Sequence, residues 1–154
     1  MPERLDRYSQ PSLVVGYRDG PECINALRFA VGLAAQLNAS IHVVHVVDLA
    51  DYPVDPDEVD WEEEAERTLE QEEARVGTAM AEHQGEWTYQ SRRGNPLTLL
   101  RQAGDQHDAL MVIVGTHGDR PGASLARLLG GSVSRGLVRH LHRPVLIVPL
   151  TDQP

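Results

Sequence analysis

Lysine is absent from this 154-residue chain; all fourteen basic residues are arginine. That excludes chemistry requiring a lysine, including a Schiff base and the lysine clamp of a Walker A phosphate loop. Cysteine occurs once, at Cys23. Neither an internal disulfide nor a cysteine metal cluster can form, and Cys23 is expected to be a buried structural residue. No apolar run approaches the ~20 residues of a membrane helix. The start, Met1-Pro-Glu-Arg-Leu-Asp-Arg7, lacks the apolar segment of a signal peptide, so a cytoplasmic location is expected. Positive charge is also in deficit. A net charge of −9 disfavours the cationic patches that nonspecific nucleic-acid binding needs.

What is present alternates between two kinds of pattern. Ser12-Leu-Val-Val-Gly16, Ile41-His-Val-Val-His-Val-Val47 and Ala109-Leu-Met-Val-Ile-Val114 are apolar runs rich in β-branched residues, as strands buried on both faces should be. Trp87 to Arg92 alternates, and Val145 to Val148 is a fifth apolar run. Between them, helical spacing is found over 25–37, 61–83 and 97–106, with a further helix from Val133 to His140. Pro96 suits the first turn of the helix it opens. Strand–helix alternation, four times over and ending on a strand, predicts an α/β fold: an open, doubly wound, five-stranded parallel sheet flanked by helices. Residues 1–10 are expected as a flexible arm, 11–150 as one domain and 151–154 as a tail. The acidic run over 62–73 is read as a helix face, and no internal repeat is found.

The informative stretch is 109–148. The run ending at Val114 meets a glycine loop, Gly115-Thr-His-Gly118, and a glycine pair, Gly130-Gly131, precedes Ser132 at the start of the last helix. Ser132 reads as its N-cap. Backbone N–H groups at a helix start suit a phosphate, although glycines between strand and helix also serve any tight turn. These residues carry a resemblance. Val114-Gly-Thr-His-Gly118, Leu128-Leu-Gly-Gly-Ser-Val133 and Arg143-Pro-Val-Leu-Ile-Val-Pro149 resemble the C-terminal half of a universal stress protein domain. Leu13-Val-Val-Gly16 with Ala26-Leu27, His45-Val-Val-Asp48 and Arg93-Gly-Asn-Pro96 extend the similarity over about Ser12 to Pro149. The resemblance implies an adenine nucleotide alpha hydrolase-like fold, usually dimeric, and a regulatory adenine nucleotide such as ATP. It would contact the loop after the first strand (Arg18, Asp19), Val46, Val114, Gly115, Gly118, Gly131, Ser132 and Val133. Magnesium would arrive only with the bound nucleotide.

Two departures from the family pattern matter. The pattern G-x2-G-x9-G-[ST] is stretched here, with twelve residues, Asp119 to Gly130, between Gly118 and Gly131. The family's aspartate after the first strand is replaced in ungapped register by Arg18, with Asp19 one place later. Either Asp19 reaches the role through a local bulge or Arg18 takes it over; an arginine can stack on a base or pair with a phosphate. Nucleotide binding therefore competes with a second reading, a dimeric interaction module of the same fold without nucleotide. His42 and His45, three apart on a strand, should face opposite sides and form no metal pair. No metal site and no serine–histidine–acid set is expected. At most, slow ATP hydrolysis accompanies binding. The fifth strand should lie at a sheet edge, where an apolar edge invites a homodimer.

Overall fold

The computed structural model describes residues 10–18, 21–47, 61–115, 139 and 141–149. Five strands form one parallel sheet: β1 (Ser12–Tyr17), β2 (Ser40–Val47), β3 (Trp87–Arg93), β4 (Met111–Gly115) and β5 (Val145–Val148). Their order is β3-β2-β1-β4-β5, so β3 and β5 are the edges. Helices α1 (Pro21–Leu37), α2 (Trp61–Met80) and α3 (Pro96–His107) are the described connections. The helix expected over 133–140 falls almost wholly outside the described residues.

The period of two along each strand splits the core in two. Leu13, Val15, Ile41, Val43 and Ile113 point to one face, where Ala26, Leu27, Ala30 and Ala34 of α1 and Val76 and Met80 of α2 cover them. Val14, Val44, Val46, Val112 and Val114 point to the other face, under Leu100 and Ala103 of α3 and Leu141. Complete burial of a side chain such as Leu13 or Ile113 stabilises by about 1.5–3 kcal/mol. Because both faces are covered, β1, β2 and β4 need no polar alternation. Cys23 is buried beside α1's alanines, as expected.

Element ends differ from the sequence reading in several places. α1 begins at Pro21 rather than Asn25, since proline's fixed φ suits a first helical turn. Asn38, in the left-handed region with φ 53, terminates it. α2 stops at Met80, and a turn follows in which His83 N–H donates to Met80 O at 2.9 Å. β4 starts at Met111, not Ala109. The reason is the cap of α3: Asp108 turns left-handed with φ 47, and Ala109 N–H returns to Gly104 O at 2.9 Å. At α3's other end Asn95 Oδ1 accepts from Leu97 N–H at 3.0 Å and Thr98 N–H at 3.2 Å. Gly94, at φ 146, makes the turn before it.

Candidate functional site

The order β3-β2-β1-β4-β5 means that the chain leaves β1 in one direction and returns to β4 on β1's other side. α1 carries the chain from the carboxyl end of β1 to β2, whereas β4 is followed by β5 on its other side, so the connections leaving the carboxyl ends of β1 and β4 run in opposite directions. Open parallel sheets bind ligands at such a divergence, because two loops part there and leave a crevice.

The expected residues that fall within the described chain stand at this edge. Arg18 directly follows β1 and is half-buried. Val46 and Val114 are buried, on the α3 side of the sheet, near the ends of β2 and β4. Gly115 is the last residue of β4 and is half-buried, paired in register with Val148. The register Val15↔Ile113, continued two residues, brings Tyr17 level with Gly115. Gly16 keeps β1 clear of its neighbours here: a Cβ on it would sit 3.2 Å from Leu100 and 3.3 Å from Val114. Aliphatic side chains and a glycine backbone at the strand ends, with an arginine following β1, are the residue types that suit a flat apolar base carrying an anionic group. Asp19, Gly118, Gly131, Ser132 and Val133 lie outside the described residues.

A polar cluster that the sequence reading did not assemble lies directly below β1's end, on the α1–α2 side. Tyr17, 1% exposed, donates its hydroxyl to Glu72 Oε2 at 2.8 Å; Glu72 is 2% exposed. Arg75 Nη1 stands 3.5 Å from Glu72 Oε1 on the outer side. The Tyr17 ring meets His45 edge-on, with centroids 5.3 Å apart. His45 Nδ1 is 2.8 Å from the Tyr89 hydroxyl of β3. The sequence did carry a signal. Ala65, Leu69, Glu72, Val76 and Met80 share one 3–4-spaced stripe, so Glu72 sits where an apolar residue is due.

His42 and His45 do face opposite sides. His42 stacks on His107 of α3, centroids 3.5 Å apart and planes 6° from parallel, and its Nδ1 is 2.7 Å from Thr88 Oγ1. Burial, then the neighbouring His107, lowers its pKa to about 4. This pair belongs to the α3–sheet contact rather than to the crevice. Among the described residues, no group of three or more His, Cys, Asp or Glu could hold a metal ion, and no helix is long and apolar enough to cross a membrane.

A five-stranded parallel sheet with helices on both faces and a crevice at its switch point defines a doubly wound α/β protein. The universal stress protein family model matches residues 11–149, so the chain belongs to the universal stress protein family. A universal stress protein of Methanocaldococcus jannaschii is 28% identical over 128 residues, 81% of this chain and 74% of that one. One of Mycobacterium tuberculosis is 29% identical over 145 residues; the match takes in 91% of this chain but only 48% of the relative. Among solved structures, a universal stress protein in complex with cAMP superposes with a TM-score of 0.58 at 22% identity, covering 90% of this chain and 95% of the other. A family member from Arabidopsis thaliana with AMP bound gives 0.57 at 18%, covering 92% and 93%. At those identities the structures establish the shared fold.

Proposed function

We propose that the chain is a cytoplasmic, dimeric universal stress protein that holds ATP or a related adenine nucleotide in the crevice between β1 and β4 as a regulatory ligand. What supports this reading is that Arg18, Val46, Val114 and Gly115 fall at or near the carboxyl ends of β1, β2 and β4, the neighbouring strands at the switch point. Val46 and Val114 form the apolar support for the base. Gly115, with Gly118, Gly131 and Ser132, supplies backbone N–H groups to the phosphates. Arg18 or Asp19 closes the site from the first loop. Magnesium accompanies the phosphates, and hydrolysis is slow at most. The cAMP and AMP complexes of similar folds support an adenine ligand.

The stretched 119–130 segment and the arginine at position 18 favour a second reading, a dimeric interaction module without nucleotide. One experiment separates the two. Freshly purified protein is denatured, released nucleotide is identified by mass spectrometry, and the protein is titrated calorimetrically with AMP and Mg-ATP. Bound or titratable nucleotide, weakened by Gly118→Val, supports the regulatory site. If nothing is released and neither compound binds, the nucleotide reading is wrong and protein partners become the subject.

A further inference from the structure

α2 reaches the sheet through one stripe of buried side chains: Glu72, Val76 and Met80. Val76 and Met80, in the second half, join the apolar core. From Glu62 to Gln71 no side chain is fully buried. Glu72 is thus the first buried residue along the described face of α2, and it is a carboxylate. The hydroxyl of Tyr17 meets it, 2.8 Å away. Tyr17 is the last residue of β1 and is followed directly by Arg18 at the crevice. α2 ends at Met80, shortly before the start of β3, so it runs antiparallel to the strands, and its first half, with Glu62, Glu63, Glu64, Glu66 and Glu70 exposed, stands beyond this hydrogen bond at the carboxyl edge of the sheet.

We infer that the Tyr17–Glu72 hydrogen bond is a latch that makes the position of the acidic half of α2 depend on occupancy of the crevice. The inference rests on the nucleotide reading above. A ligand that fixes residue 18 fixes the end of β1, and with it the direction of the Tyr17 hydroxyl. A buried carboxylate loses far more than an apolar side chain when a donor turns away, because a charge in the interior depends on its hydrogen bonds. Lateral play in Tyr17 is limited by His45, edge-on at 5.3 Å and itself tied to Tyr89. Motion of β1's end is thereby passed to Glu72 rather than dissipated within the sheet. Arg75 meets the carboxylate's outer oxygen at 3.5 Å and draws it toward the surface when the inner bond opens. The output of the latch is the exposure and angle of a strongly anionic helix face, a surface that a cationic partner can read.

The test is hydrogen–deuterium exchange of the full chain with and without saturating AMP, beside calorimetric AMP affinity, in four proteins: wild type, Tyr17→Phe, Glu72→Gln, and Tyr17→Phe with Glu72→Leu. The double variant replaces the pair by apolar groups and guards against a variant that fails to fold. The amide of Glu72→Gln still accepts from Tyr17. AMP is expected to slow exchange several-fold across 62–73 in wild type and Glu72→Gln, and to leave that segment unchanged in both proteins carrying Tyr17→Phe. Since coupling is reciprocal, those two proteins should bind AMP roughly fivefold or more weakly. If wild type binds AMP with 62–73 unaffected, or if the double variant responds like wild type, the latch is wrong while the nucleotide site stands. If wild type binds neither AMP nor Mg-ATP, the nucleotide reading fails and the latch falls with it.

Discussion

Acidification should weaken the contact between α3 and the sheet through His42. Its ring lies 3.5 Å from that of His107, nearly parallel, with Nδ1 on Thr88. Burial first, and His107 second, take its pKa from 6.5 to about 4; burial lowers that of His107 as well. The folded pKa is depressed, so the contribution to stability is fully present above pH 6.5. As the pH falls below that value the unfolded chain takes up a proton that the folded chain refuses. The loss continues until about pH 4, where the folded state accepts the proton too. At pH 5 the unfolded group stands about 1.5 units into its titration, and each unit is about 1.36 kcal/mol, so the loss is about 2 kcal/mol. Solvent screening of a partly exposed ring trims it to about 1–2 kcal/mol, still a large share of a typical folding free energy of about 5–15 kcal/mol. Urea unfolding at about pH 7.5 and about pH 5, at fixed ionic strength, measures it. Wild type should lose about 1–2 kcal/mol more than His42→Leu over that interval. His107→Gln should recover only the smaller share, because burial is the larger cause. Parallel losses in wild type and His42→Leu would refute the reasoning.

Three further outcomes are expected. Asn95→Ala removes the acceptor of two backbone N–H groups at the start of α3 and should cost about 1 kcal/mol in thermal or urea unfolding. Gly104→Ala places a Cβ 2.9 Å from Arg143 Nε, and Arg143 is pinned by Ala109 O at 2.7 Å and Asp105 at 3.2 Å. It should cost about 1–3 kcal/mol, and less in an Arg143→Ala background than the two single costs combined. The edge strand β5 leaves Ile147 38% exposed, so light scattering should show a dimer at micromolar concentration that Ile147→Glu dissociates without changing the circular dichroism. A monomeric wild type would remove β5 as the interface.

The strands were legible because their physical requirement is simple. A strand covered on both faces must be apolar throughout, and 41–47 and 111–114 are so apart from histidine. The crossovers then follow from alternation and chirality alone. What the residues did not announce was where each element hands over to the next. Residues 21–24 begin with the proline of a Gly-Pro turn signal, yet that proline opens α1. Ala109 and Leu110 have strand composition. The left-handed Asp108 nevertheless commits Ala109 N–H to α3, while Leu110 N–H goes to Ser12 O at 2.8 Å. Both differences arise where local pattern allows two continuations of the chain, and tertiary geometry chooses between them.

The candidate site was read in a different way. Val46, Val114 and Gly115 were expected in it because the family's motifs align with them, and the topology shows that the strands carrying them lie on either side of β1. The Tyr17–Glu72 pair had no motif to point to it. A glutamate in a dense acidic run reads as one more solvated charge, and only its phase on the helix marks it. It is three residues past Leu69 and four before Val76. A buried carboxylate needs a donor, and periodicity cannot name one. The partner is 55 residues away in sequence and becomes its neighbour only when β1 is placed beside β2, under α2. Sequence pattern thus located the surfaces that any member of this fold must bury. The contact by which this chain ties the end of β1 to an acidic helix required the three-dimensional structure.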